Sequence, residues 1–105
     1  MKNFLTTISF GELLSSTRKL KGWRIKDLIE SLENVGHSIS PAYFTRIEQY
    51  AEIPSPELVL ALADLLDIDK KKLLECAKRE KIKKFDQSLD SKYLKAYKNY
   101  ENFKK

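Results

Sequence analysis

Apolar side chains recur along this chain at spacings of three and four residues, the pattern of helices that bury one face against a core. Ile25, Leu28, Ile29 and Leu32 are one example, with charged residues between them. Five such segments precede residue 82, and short polar stretches separate them. The pattern predicts an all-α fold that begins with five short helices.

Residues that start helices occur where this pattern places the helix ends. Ser9 and Glu12 have the spacing of a capping box, in which each side chain can bond to the backbone N–H of the other. Ser-Pro pairs at 40–41 and 55–56 combine a capping side chain with a proline at the first helical position. Asp69 is placed to cap the fifth helix. Four of the five helix starts are therefore predicted from local signals.

The second and third helices form a helix-turn-helix pattern. Helix two is predicted from about Ile25 to Leu32, although Arg24 stands before it where a capping residue is usual. The turn, Glu33 to Ile39, is about four residues longer than the three or four usual in such motifs. Helix three is predicted from Pro41 to Gln49.

Helical projection of residues 41–49 divides the third helix into two sides. The side predicted to face the core contains Phe44, Ile47 and Glu48. The opposite side, which can meet a ligand, contains Ala42, Thr45, Arg46 and Gln49. A carboxylate on the inner side is costly unless it is paired. Arg18, beside the inner face of helix one, is the predicted partner of Glu48, because a guanidinium can bind a carboxylate through two bonds.

The composition changes after the fifth helix, which is predicted from about Lys70 to Lys81. Residues 86–91 read as a linker or a new helix cap, and a heptad-like seam of apolar residues follows. The seam consists of Leu89, Tyr93, Ala96, Tyr100 and Phe103. It predicts one more helix, which either folds back on its own domain, the favoured arrangement, or pairs with a second chain. The predicted organisation is an N-terminal arm (1–8), a helical domain (9–81) and a basic, aromatic tail (82–105).

Charge is unevenly distributed. The net charge is +5, but residues 9–76 carry 9 Lys and Arg against 11 Asp and Glu, a net of −2. Residues 77–105 carry 10 against 4, a net of +6. A basic tail suits a polyanion such as nucleic acid, although a lysine-rich stretch is more often a solvated helix face.

Few residues of this chain are suited to disulfide formation, metal binding or catalysis. Cys76 and His37 are the only residues of their types, so no internal disulfide and no zinc set of Cys and His is expected. Nothing resembles a catalytic constellation or a phosphate-cradling loop, so we expect a protein that is not an enzyme and needs no metal or cofactor. No apolar run approaches the roughly 20 residues of a membrane span, and no secretory signal is evident, so we expect a cytoplasmic protein.

Four runs of residues resemble a known family. They are LLSSTRKLKGW, IKDLIESL, SPAYFTRIEQ and IPSPELVLALADLLDI, in that order. Together, over about Phe10 to Leu74, they are similar to the lambda-repressor-like, or Xre-type, helix-turn-helix family of bacteria, phages and mobile elements. The resemblance implies a five-helix bundle, to which this chain adds a C-terminal helix. It also implies a homodimer on double-stranded DNA and a buried ion pair between Arg18 and Glu48.

The same resemblance implies which residues touch DNA. Its base-reading positions fall on Pro41, Ala42, Thr45 and Arg46. Its phosphate-touching positions fall near Ile25, Tyr43 and Gln49. Ile25 replaces a glutamine that some members have, and only Arg46 suits bidentate contact with guanine.

Two functional hypotheses follow. The leading one is a sequence-specific DNA-binding regulator of transcription, with repression favoured and helix three in the major groove. The alternative is an antitoxin-like or adaptor module that binds a protein partner through helix four and the C-terminal helix. An RNA-binding role for the tyrosine- and lysine-rich tail is the least favoured, because tyrosines at helical spacing more often belong to a core.

Overall fold

A computed structural model describes the backbone of residues 8–104 and the side chains of residues 8–102. Within this range the chain forms five α-helices and no strand, so the all-α prediction is confirmed. The helices are α1 (Phe10–Leu20), α2 (Ile25–Asn34), α3 (Pro41–Gln49), α4 (Pro56–Leu65) and α5 (Lys70–Lys104). None of the helices in these residues is long and apolar enough to cross a membrane. Apart from Ile8, the predicted N-terminal arm lies outside the described residues.

The four predicted helix starts are confirmed by the hydrogen bonds of their caps. Side-chain oxygens of Ser9, Ser40, Ser55 and Asp69 each accept from the backbone N–H three residues later, at 3.0–3.3 Å. Such a cap satisfies one of the backbone donors that the first turn leaves without a helical partner. These residues therefore determine where four of the five helices begin.

The second helix starts differently, by a bond in the reverse direction. The backbone N–H of Arg24 donates to a carboxylate oxygen of Asp27 at 2.9 Å. This bond favours the charged carboxylate and lowers the pKa of Asp27. The acidic half of a capping box therefore compensates for the missing capping side chain at Arg24.

One continuous core joins the five helices. Its ten largest fully buried side chains are Phe10, Leu14, Leu28, Leu32, Phe44, Ile47, Val59, Leu62, Leu66 and Leu73. Helix α1 packs on α3 and α4 packs on α5, while α2 contacts both α3 and α4. Gly11 lies where α1 crosses α3, and a Cβ built there would be 2.4 Å from the backbone oxygen of Glu48. The approach of α1 to α3 therefore depends on the absence of a side chain at position 11.

The turn between α2 and α3 is shorter than predicted. Helix α2 continues to Asn34 rather than ending near Leu32, which leaves six residues, 35–40, outside the helices. The N–H groups of Gly36 and His37 bond to the carbonyls of Glu33 (3.1 Å) and Leu32 (2.8 Å), and Gly36 has φ +93°. This is a Schellman motif, in which a left-handed residue lets the chain bond back to the last helical turn.

The predicted end of the fifth helix, near Lys81, is wrong. Helix α5 runs without a break for 35 residues, through the expected end at Lys81 and the expected linker at 86–91. Asp and Ser each reduce helix stability by at most about 0.7 kcal/mol relative to Ala, and the stretch contains no Gly or Pro. Those small costs do not end a helix whose neighbours are Lys, Leu and Ala.

The favoured prediction that the tail folds back on its own domain is also wrong. Side chains beyond Lys84 are largely exposed; Phe85, Tyr93 and Tyr97 expose 63%, 73% and 64% of their surface. At 1.5 Å per residue, α5 is about 52 Å long, and the molecule measures 60 × 37 × 20 Å. The tail is thus a helical extension of α5 rather than an additional helix.

Candidate nucleic-acid interface

The orientation of α3 is determined by two side chains that are completely buried. Phe44 and Ile47 expose none of their surface and lie three residues apart, on the same side of the helix. The start of α3 is determined separately, by the Ser40 cap and by Pro41 in the first turn. The rotation and the starting point of α3 are therefore both set by its own sequence together with the core.

Arg18 and Glu48 attach the same helix to α1. Arg18 Nε donates to Glu48 Oε2 at 2.9 Å, and its Nη2 donates to Oε1 at 3.2 Å. Arg18 Nη1 donates to the carbonyl oxygen of Trp23 at 2.6 Å. The two side chains expose 9% and 3% of their surface, so neither is available to a ligand. Removing one partner of such a buried pair typically costs about 3–5 kcal/mol, because the other charge is left uncompensated.

The opposite side of α3 is accessible. Pro41, Ala42, Arg46 and Gln49 are exposed, and Thr45 is half-buried. Tyr43 is also half-buried, because part of its ring packs against the core. The structure thus presents the residues that were assigned to DNA contact along one exposed side of the helix, with Tyr43 at its border. Contact of these residues with DNA stays a prediction.

Arg46 has two neighbours that hold its side chain. Its guanidinium lies 5.4 Å from the centre of the Tyr43 ring, a cation–π distance. Its Nε lies 3.9 Å from Glu52 Oε1. Both partners of this ion pair remain about half exposed, at 55% and 45%. The one basic side chain among residues 41–52 is therefore partly neutralised by a carboxylate next to it.

Glu52 reaches Arg46 because of the turn that follows α3. Ala51 has φ +59°, in the left-handed region, and the N–H of Glu52 bonds to the carbonyl oxygen of Arg46 at 3.2 Å. Lys84 of α5 donates to the carbonyl oxygen of Ala51 at 2.9 Å. The turn thus connects the candidate surface to α5.

Neither Glu52 nor Lys84 was identified from the sequence. A separation of six residues, from Arg46 to Glu52, has no helical periodicity that would reveal the pair. The bond between Lys84 and Ala51 spans 33 residues. Contacts of this kind exist only once the helices have packed, so no local pattern predicts them.

At the start of α2, the side chains suited to a phosphate contact lie beside Ile25 rather than at that position. Ile25 is half-buried and packs against the core, so this apolar side chain provides no hydrogen bond to a phosphate. Arg24 and Lys26 on either side of it are exposed. The Arg24 side chain is 80% exposed and lies 3.5 Å from Asp27. Positive charge is therefore present at this position, but it comes from the neighbours of Ile25.

No family model, no curated protein and no solved structure is matched by this chain. In the part of the chain that the structure describes, no group of His, Cys, Asp and Glu side chains is placed to hold a metal ion. The functional assignment of this protein therefore rests on the geometry of α3 and its neighbours.

Proposed function

We propose that this protein is a sequence-specific DNA-binding regulator that represses transcription by placing α3 in the major groove. The observation that supports this proposal is the exposed side of α3, which is formed by small and polar residues around Arg46. A helix with such a surface can lie close to base edges, because Pro41, Ala42 and Thr45 project little from the backbone and the large Tyr43 and Tyr50 lie at its border. The family resemblance over about Phe10 to Leu74 supports the same assignment.

The readout assigned to α3 depends mainly on one side chain. Arg46 can donate two parallel hydrogen bonds to guanine, and its stacking on Tyr43 reduces the conformational freedom that it would lose on binding. Pro41 and Ala42 can make only apolar contacts, for example with a thymine methyl group. One bidentate contact contributes about 1–3 kcal/mol of discrimination. We therefore propose moderate specificity per domain.

The test is binding to a DNA duplex that carries the region upstream of the protein's own gene. Arg46→Ala is expected to weaken specific binding by about 5- to 150-fold, the equivalent of 1–3 kcal/mol. Lys71→Ala is the matched control, since it also removes one exposed positive charge but lies on α5. Affinity should fall with salt by about 0.9 log unit per neutralised phosphate for each decade of concentration. Equal affinities of the Arg46 variant and the wild type would show that α3 is not the reader.

A second function is supported by a different observation. The extension of α5 exposes large apolar side chains that include Phe85, Tyr93 and Tyr97, a surface suited to a protein partner. Helix α4 contributes little to this alternative, since Leu58, Val59 and Leu62 are buried and Leu60 is its only exposed leucine, at 38%. An adaptor or antitoxin-like module would co-purify with a partner and would fail to bind the upstream duplex at low salt.

A further inference from the structure

An apolar groove lies between α5 and the segment that connects α3 to α4. It has a volume of about 480 Å³. Its apolar walls include Ile53, Pro54 and Val59 on one side, and Leu74, Ala77 and Ile82 of α5 on the other. Leu74 and Ile82 are eight residues apart, so the groove follows α5 for about 12 Å. Small-molecule sites typically have volumes of about 300–1,000 Å³ and mostly apolar walls, and this groove matches both properties.

The floor of the groove is packed, whereas its rim meets water. Val59 and Ala77 expose only 1% and 6% of their surface. Ile53 and Leu74 are half-buried, and Ile82 exposes 49%. Apolar surface that is covered by a ligand is removed from water, which favours binding. Because the floor is already held by the core, little order has to be gained when a ligand enters.

The charge at the groove is positive. Lys78 and Lys81 are the charged residues of its lining, which contains no carboxylate among the described residues. Both lysines are exposed, and neither side chain forms an ion pair or a hydrogen bond within residues 8–102. Three other grooves in this part of the chain each contain a glutamate. An apolar groove whose rim carries only positive charge suits a molecule that is both apolar and anionic.

We propose that this groove binds a free organic anion with a medium-length alkyl chain, of the chemical class of a fatty carboxylate. The alkyl chain lies along Val59 and Leu74, between α5 and the connecting segment. The carboxylate lies beside Lys78 and Lys81. A lysine suits this role, because its ammonium group is a compact charge on a flexible stem, and the stem adds apolar surface to the wall.

The ligand in the groove contacts the turn that follows α3. Ile53 is the residue after Glu52, whose carboxylate lies 3.9 Å from Arg46 Nε. Lys84 of α5 donates to the carbonyl oxygen of Ala51 in the same turn. Binding to the groove does not depend on the proposed DNA binding and can be measured without nucleic acid. If both proposals hold, the groove is an effector site, since its ligand touches the turn beside the candidate DNA-binding surface.

The test is isothermal titration calorimetry of the full chain with decanoate, at about pH 7.5 and about 0.1 M salt, where the carboxylate is ionised. One decanoate per chain is expected to bind with a Kd on the order of 0.1 mM, which corresponds to the burial of about seven methylene groups. Acetate, which has the head group alone, should show no binding. Decyltrimethylammonium, which has a chain of the same length and the opposite charge, should bind at least about fourfold more weakly.

The role of the two lysines is tested by substitution. Lys78→Gln combined with Lys81→Gln should weaken decanoate binding by about 2- to 30-fold, since two exposed ion pairs are lost. Lys92→Gln combined with Lys95→Gln is the matched control, because it removes two exposed lysines at the same spacing from the same helix. Lys92 lies about 16 Å beyond Lys81 along α5, farther than the screening length of about 10 Å at 0.1 M salt. The control should therefore change the Kd by less than about 1.5-fold. Circular dichroism should show equal helix content in both double variants.

The position of the ligand is tested by NMR spectra of the isoleucine methyl groups. Decanoate should shift the signals of Ile53 and Ile82, which line the groove. The signal of Ile25, at the start of α2, is the internal reference and should not move.

Three outcomes would overturn the proposal. The first is a wild type that does not bind decanoate up to about 5 mM. The second is equal affinity for decanoate and decyltrimethylammonium, or an equal effect of the two double substitutions. The third is binding that shifts neither Ile53 nor Ile82, which would place decanoate on other apolar surface, such as the exposed rings of Phe85 and Tyr93.

Discussion

Substitution of Gly11 by alanine perturbs the contact that positions α3 on α1. A Cβ at this position would lie 2.4 Å from the backbone oxygen of Glu48 and 2.6 Å from that of Ile47. Both oxygens belong to the backbone of α3, so no flexible side chain can move aside. The two helices must separate by about 1.0 Å before the shorter distance reaches an ordinary 3.4 Å. Gly11→Ala is therefore expected to displace the helix that carries the candidate DNA-binding surface.

The expected loss of stability is the difference between two effects. Overpacking of a close contact typically costs about 1–3 kcal/mol, and a shift of about 1.0 Å lies at the upper end of that range. Replacing glycine by alanine within a helix returns up to about 1 kcal/mol. The net result is a destabilisation of about 1–2 kcal/mol. For a domain of this size, this lowers Tm by roughly 5–15 °C.

Urea unfolding followed by the fluorescence of Trp23, the only tryptophan, measures this change. Ser16→Ala in the same helix is the control, because Ser16 is exposed and the substitution adds no atom near α3. The loss of the bond from its hydroxyl to the carbonyl oxygen of Leu13 is offset by the higher helix propensity of alanine. The control should change the free energy of unfolding by less than about 0.5 kcal/mol. The reasoning is refuted if Gly11→Ala unfolds at the same urea concentration as the wild type, or at a higher one.

Three further predictions concern the surroundings of α3 and the core. Glu52→Gln should raise DNA affinity by about 1.5- to 5-fold in a titration of the proposed duplex. The reason is that DNA binding must otherwise compete with the exposed ion pair between Glu52 and Arg46, which contributes about 0.2–1 kcal/mol. Weaker binding would mean that Glu52 positions the guanidinium. Ala51→Gly should stabilise the protein to urea by up to about 1 kcal/mol, since glycine adopts a positive φ without strain; a loss of stability would contradict this assignment of strain. Burial raises the pKa of the Cys76 thiol against the opposing influence of Arg79. The unfolded state therefore releases the thiol proton at a lower pH than the folded state, so the free energy of unfolding should decline as the pH rises above about 8.5. The decline should be larger in the wild type than in Cys76→Ala. Equal declines would exclude the thiol as the cause.

Local sequence signals predicted the helix starts well. A serine or aspartate cap and its N–H partner are three residues apart, so the whole interaction lies within one turn. This explains why Ser9, Ser40, Ser55 and Asp69 marked the starts correctly. The inward side of α3 was predicted for a similar reason, because the 100° rotation per residue places Phe44 and Ile47 on one side wherever the helix lies.

The helix ends and the tail were predicted less well. At 86–91 polar residues indicated a linker, yet none of them prevents a helical conformation, and α5 passes through. Whether the tail folds back depends on whether the domain has a free surface to receive it. The exposure of Phe85 and Tyr93 therefore depends on how the domain packs and could not be predicted from their neighbours in the sequence.

The sequence alone determined four of the five helix starts, the inward side of α3 and the uneven charge, because these depend on neighbours within one or two turns. The tertiary structure decided how α1 and α3 meet at Gly11, that Glu52 pairs with Arg46, and which side of α5 is left exposed. Each of these features joins residues whose distance is set by helix packing and by turns with a positive φ. Local sequence signals depend on neighbours a few residues away, so they do not determine the distance between two packed helices.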